Sequence, residues 1–394
     1  MSSEERARPA ASSPGFMRQA NRIQVLAYIR RRGPVSIPQI AAEVGLSRPT
    51  VGRIVTQLID SGRVRSDGQG EGDRRGGRKP NLVSFDPACM SILGVDIGAV
   101  RLSCALADLE GTVHLRLEQP TGIGDGIEAV MGRLTRMTDQ ALQLAPPELA
   151  SRLAAVGVSA PGSVAQKDGR WIHFATLFPG IENVQIASRL EERLQVPTLV
   201  ENDVNAALLG ERRWGAARGF NHVLYVNIGY GLGAGVMVGG RLYRGASGNA
   251  GEIADMAMEL PPTQGEESNE AQVRLESWLS GMGIARQAFE RLGEELSAEE
   301  VFRRSAAGDP QCRALVAHVV DLVTLMGANL MAFFDPEILI LGGGVSRSLS
   351  MDLLTSRITE RLGRPARVVS SALGRDASLM GAVALALSQA ERRL

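Results

Sequence analysis

Apolar positions in this 394-residue chain follow two regimes. Up to about residue 83 they recur at helical spacing in short bursts. From about residue 90 they bunch into strand-length runs closed by glycine turns, with longer helical stretches between them. Ile23, Val25, Leu26 and Ile29 sit at helical spacing, and that run stops at Arg30-Arg31-Arg32-Gly33-Pro34. Ser36 suits the N-cap of a second helix with Ile37, Ile40, Ala41 and Val44 on one face and Gly45 at its end. Ser47 caps a third, with Pro49 in the first turn, where a missing N–H costs nothing, and Val51, Ile54, Val55 and Leu58 as its inward stripe. Ser61-Gly62 ends it. Val64, a basic loop closing on Arg74-Arg75-Gly76-Gly77-Arg78-Lys79-Pro80 and the alternating Leu82-Val83-Ser84-Phe85 then predict a two-stranded wing. Together these elements predict a winged helix-turn-helix over residues 17–83, preceded by a disordered tail over 1–16.

The second regime opens with the strand Ile92–Ile97 and an Asp96-Ile97-Gly98 turn, then strands over Arg101–Ala107 and Thr112–Leu117 and a helix over about Gly126–Leu144. Val223–Gly229 repeats this opening, with Val-Asp-Ile-Gly becoming Val-Asn-Ile-Gly. It too leads into a strand (Gly233–Val238), a glycine turn and a short third strand (Arg241–Arg244). Such a duplication predicts an α/β body of two facing lobes, each aiming a glycine turn into a shared cleft. A helix over Pro310–Phe334, a strand over Ile338–Leu341, the turn Gly342-Gly343-Gly344 and a final helix over Ala377–Arg392 complete the body. That last glycine turn reads equally as a phosphate cradle or as a plain tight connection.

Charge sharpens the division. Residues 1–80 hold 15 Arg and Lys against 7 Asp and Glu, whereas the remainder holds 28 against 36. A basic head on an acidic body points to nucleic acid as the head's partner. On the third helix Arg48, Thr50, Arg53 and Gln57 face outward beside Ser47. Arg48 and Arg53 are placed to reach base edges or phosphates, and Arg78 and Lys79 to reach the backbone or minor groove. The other reading of the head is a helical protein-interaction module with a solvated arginine face. No apolar run reaches the roughly 18 residues of a membrane span, and the polar start lacks a signal core, so the cytoplasm and no membrane partner are expected. Cys89, Cys104 and Cys312 are too scattered for a disulfide framework or a metal knuckle.

Candidate chemistry concentrates in the body. Glu201-Asn202-Asp203-Val204-Asn205 sets carboxylate and carboxamide groups at the end of the short apolar run Pro197–Val200. Gly229-Tyr230-Gly231-Leu232-Gly233 and Gly248-Asn249-Ala250-Gly251-Glu252 follow. Such groups beside backbone-exposing glycines can satisfy the donors and acceptors of a polyhydroxylated small molecule.

These motifs, with Gly245-x-x-Gly248-x-x-Gly251-Glu252-Ile253, Leu275-Glu276 and Leu341-Gly342-Gly343-Gly344-Val345, resemble the ROK family of bacterial sugar kinases and sugar-responsive repressors. The resemblance runs from about Gly94 to Leu387, and the winged head looks like the repressor branch. It implies an actin/hexokinase-like, ribonuclease H-like fold, with one lobe over residues 90–204 plus 372–394 and the other over 205–371. It implies that Asn202, Asp203, Glu252 and Glu276 hold sugar hydroxyls near the Gly231 backbone, with Asp203 where family kinases keep their base. The departures matter as much. Kinase Asp-x-Gly-Gly-Thr is here Asp96-Ile97-Gly98-Ala99-Val100, and Tyr230 replaces a threonine, so ATP turnover is not expected. Asp255 stands where the family's zinc and sugar-touching histidine belongs and could accept a hydroxyl instead. No cysteine lies between Pro261 and Arg274, so no metal and no cofactor are expected. Leu177 replaces a sugar-binding asparagine.

The expectation is a repressor of sugar-metabolism genes that binds operator DNA as a homodimer or homotetramer and senses a sugar or sugar derivative. The alternatives are a sugar kinase with a DNA-binding head, and a regulator with a degenerate pocket that answers to a protein partner.

Overall fold

A computed structural model describes residues 14–69, 81–165, 170–173, 184–258 and 273–394. It divides into two compact units. One comprises the chain up to Met90 with Asp108–Glu110 and Glu391–Leu394; the other comprises Ser91–Ala107 and Gly111–Ala390.

The first unit contains α1 (Pro14–Arg32), β1 (Val35–Ser36), α2 (Ile37–Val44), α3 (Arg48–Asp60), β2 (Val64–Gln69) and β3 (Asn81–Phe85). Helix α1 begins at Pro14, inside the segment read as a tail, and turns Val25, Leu26 and Ile29 inward while Ile23 stays exposed. The Gln39 side chain accepts the Ser36 N–H at 2.8 Å, and Gly45, at φ 67°, closes α2 in the left-handed conformation that glycine tolerates. Val51, Ile54, Val55 and Leu58 of α3 are buried, as its periodicity predicts. The sheet has three strands, in the order β1-β3-β2. Val35–Ser36 is the strand that periodicity missed, because two residues carry no alternation; it pairs Val35 with Val83.

The second unit carries the same sheet twice. The first sheet uses β4 (Ser91–Ile97), β5 (Arg101–Asp108), β6 (Val113–Pro120), β7 (Leu153–Ala160) and β8 (Thr198–Asn202), in the order β8-β7-β4-β5-β6. The second uses β9 (Val223–Ile228), β10 (Leu232–Val238), β11 (Arg241–Tyr243), β12 (Ile338–Gly342) and β13 (Val368–Ser370), in the order β11-β10-β9-β12-β13. In each, a parallel pair (β4 with β7, β9 with β12) adjoins an antiparallel meander. The internal duplication is therefore one of topology as well as motif, and the architecture is α/β throughout this unit.

Helices α4 (Ile127–Leu144), α5 (Asp203–Trp214), α6 (Pro310–Phe334) and α7 (Ala377–Glu391) flank these sheets. Helix α7 lies directly on the first one: a Cβ added at Gly157 of β7 would overlap the Ala382 carbonyl, and one at Gly94 of β4 would overlap the Val383 side chain. The same helix crosses α5 at Gly381, which touches the Ala206 carbonyl. Small residues at these points are what allow a helix to lie this close to a strand backbone. Among the described residues α6 alone is long and apolar enough to cross a membrane by length and composition. Here Leu315, Val319, Leu322, Val323, Met326 and Met331 are buried in the core around the second sheet. The three cysteines are free, Cys104 and Cys312 buried and Cys89 half-buried.

Candidate functional site

Both candidate sites sit where an element ends. In the first unit, Ser47 is the N-cap of α3, its hydroxyl accepting the Thr50 N–H at 3.3 Å and lying 2.8 Å from the Thr50 hydroxyl. Ser47 thus sets the helix start more than it offers a free group. Arg48, Arg53 and Gln57 are exposed and Thr50 half-buried. Thr50, Arg53 and Gln57 fall on the side away from the buried stripe, at the spacing that puts neighbouring turns on one face. Arg78 and Lys79, with the rest of the wing tip, lie outside the described residues, as does Leu177.

In the second unit a cleft of about 850 Å³ gathers Asn202, Asp203, Gly231, Glu252, Asp255 and Glu276 into one lining. Asn202 ends β8 and caps α5. Its Oδ1 accepts the Val204 and Asn205 N–H groups at 2.9 and 3.0 Å, and its Nδ2 donates to the Gly162 carbonyl and to Asp203 Oδ1, both at 3.1 Å. Its hydrogen-bonding capacity is spent on the start of α5, the Gly162 carbonyl and Asp203, so in this arrangement it positions more than it grips. Asp203, the first residue of α5, has its pKa raised to about 7, first by burial and then by the Asp96 and Glu252 carboxylates; the Val204 N–H opposes this. Asp96, near the end of β4, is raised to about 6 by burial; the Ser159 hydroxyl, which donates to it at 2.8 Å, opposes the rise.

Glu276 accepts the Leu232 N–H at 3.3 Å, and a Cβ at Gly231 would come within 2.9 Å of its Oε1. Glycine at 231 therefore keeps the carboxylate open to the cleft. Glu252 follows Gly251, whose φ of 97° and contact with the Ala234 carbonyl exclude any side chain there. Asp255 pairs with Arg274 at 3.2 Å on the rim, both side chains largely exposed. A carboxylate with a guanidinium beside it, and no cysteine from 261 to 274, does not suit a zinc ion.

Two contacts of the site escaped the sequence. Glu201, 2% exposed, takes Arg244 at 2.9 and 2.6 Å, tying the glycine loop after β11 to the β8–α5 junction. Its place at the end of an apolar strand was a usable signal; its partner, over forty residues on, gave none. Ser163 donates to Asn249 at 2.7 Å across the cleft. Ala99, Asn227 and Tyr230 also line the cleft. Next to Ala99, the Gly98 N–H is taken by the Arg101 carbonyl at 2.9 Å.

The profile of the ROK family matches residues 92–389, and that of the MarR family matches residues 19–76. The chain is 26% identical to the "Putative xylose repressor" of Caldicellulosiruptor sp. (strain Rt8B.4), over 95% of this chain and 96% of that one. It is 28% identical to the glucokinase of Thermotoga maritima, over 75% of this chain and 97% of that enzyme. In structure it is similar to a ROK family transcriptional regulator described as a homolog of the E. coli MLC protein. That match has a TM-score of 0.75 and 22% identity over 95% of this chain and 96% of the other.

Proposed function

The chain belongs to the ROK family, and from that premise we propose that it is a transcriptional repressor whose ROK body senses a sugar or sugar derivative without phosphorylating it. The observation that carries this reading is the lining of the cleft. It keeps Asp203, Glu252 and Glu276 for hydroxyls, but presents Ala99 and Tyr230 where transfer from ATP would need positioned donors. The spent Gly98 amide points the same way. A cleft that keeps its hydroxyl-gripping acids while its first glycine turn carries Ala99 and Val100 suits sensing better than phosphoryl transfer.

The head then supplies the output. Arg48 and Arg53 would contact base edges or phosphates, with Arg78 and Lys79 of the wing on the backbone or minor groove. The lobes, taken as residues 90–204 plus 372–394 and residues 205–371, would close on the effector and bias one arrangement over another. A homodimer or homotetramer in the cytoplasm would carry that bias to paired half-sites. The relative named a xylose repressor supports this two-part layout because its similarity spans both head and body. The similarity to a glucokinase covers the body and favours kinase ancestry, which is why ATP turnover is measured alongside.

The test is fluorescence anisotropy on the DNA upstream of the gene and its neighbours, with and without a panel of sugars. Salt-sensitive binding that one sugar class weakens is the expected result. Binding indifferent to every sugar would favour a protein effector, and ATP hydrolysis dependent on a sugar would restore the kinase reading.

A further inference from the structure

We propose that the effector is a glycoside or disaccharide, and that Tyr230, on the glycine turn beside Glu276, stacks on its second ring. This rests on the sugar-sensing reading above and deepens it. Asp203, Glu252 and Glu276, with the Gly231 backbone, can grip the hydroxyls of one ring. The same cleft is also lined by Ala99, Pro161, Asn227 and Tyr230, and its volume of about 850 Å³ lies toward the upper end of the range that holds ligands much larger than one sugar ring.

Tyr230 is 46% exposed and lines the cleft. It is held there by a pinned turn: Gly229 N–H donates to the Gly231 carbonyl at 3.0 Å, and Gly281 N–H donates to the Gly229 carbonyl at 2.7 Å. An exposed aromatic ring on a fixed turn is a ready platform, because little freedom is lost when a ligand stacks on it. The ring also lies next to the sugar-holding residues, since its neighbours Gly231 and Leu232 touch Glu276. A pyranose or aryl group joined to the gripped ring would therefore reach Tyr230. Asn227, whose amide lies beside Gly229, offers a polar contact to such a ring.

Calorimetric titration of the full chain with common pentoses, hexoses and N-acetylhexosamines, their disaccharides and their aryl glycosides tests this. One glycoside or disaccharide should bind at least tenfold more tightly than its parent monosaccharide. Tyr230→Ala should cost that ligand at least tenfold while moving the monosaccharide less than threefold. Tyr230→Phe should keep most of the preference, and matching melting curves would show both variants folded. Equal affinity for monosaccharide and glycoside, or an equal loss of both in Tyr230→Ala, would overturn the second subsite and leave the sugar sensor standing. Absence of binding by any sugar would remove both readings together.

Discussion

Asp203 stands at the first turn of α5, where backbone amides favour a negative charge, yet burial and the Asp96 and Glu252 carboxylates push its pKa from 3.8 up to about 7. The folded protein therefore keeps, between about pH 4 and pH 7, a proton that the unfolded chain has already released. Stability from this group is present at the acid side of that window and is lost as pH rises through it. Asp96, raised to about 6, works in the same direction. Asp203→Asn removes the cost of a buried charge, so at pH 8 its melting temperature should exceed that of the parent by a few degrees. That corresponds to about 1–2 kcal/mol once solvent in the cleft is allowed for. The difference should vanish near pH 4. Effector response should be lost in the same variant, because the amide offers one acceptor where the carboxylate offered two oxygens. A melting temperature lowered equally at both pH values would instead make Asp203 a structural residue.

At the scale of elements, α3 shows most clearly what a sequence can declare. Its cap, first-turn proline and buried stripe are local, so helix, boundaries and exposed face were legible together. Replacing Arg53 with alanine should weaken operator binding by about 1–3 kcal/mol, a five- to 150-fold change, and flatten its dependence on salt. Sugar affinity measured by calorimetry should not move; loss of both would contradict separate head and body. Long elements such as α6 were equally legible, since their period repeats many times. Strand β7 was not: its sequence, Leu153-Ala154-Ala155-Val156-Gly157-Val158-Ser159-Ala160, is made largely of small residues whose hydrophobic signal is faint. Those residues are small because α7 lies against them, which is a tertiary cause with no local mark. The cleft divides the same way. The Asn202-Asp203 and Gly251-Glu252 motifs announce themselves, whereas the Glu201–Arg244 and Ser163–Asn249 contacts exist only once two distant segments meet.

For the whole molecule, sensing and repression are joined by a thermodynamic cycle that does not depend on the route between them. If the effector lowers operator affinity by some factor, the operator must lower effector affinity by the same factor. A coupling of roughly 1–3 kcal/mol, five- to 150-fold, is enough for a switch of this kind. Titrating the preferred sugar into free protein and into protein saturated with operator should give two dissociation constants whose ratio equals the ratio of operator affinities with and without sugar. That equality separates true sensing from competition by a contaminating ligand or from effector-driven aggregation, neither of which closes the cycle. Because a ligand shifts an equilibrium only by its differential affinity for the two states, a sugar that binds tightly but leaves operator affinity unchanged would grip both lobe arrangements alike. In that case the acidic residues of the cleft would bind without signalling, and the ring contacted by Tyr230 would be the part of the ligand that selects one state.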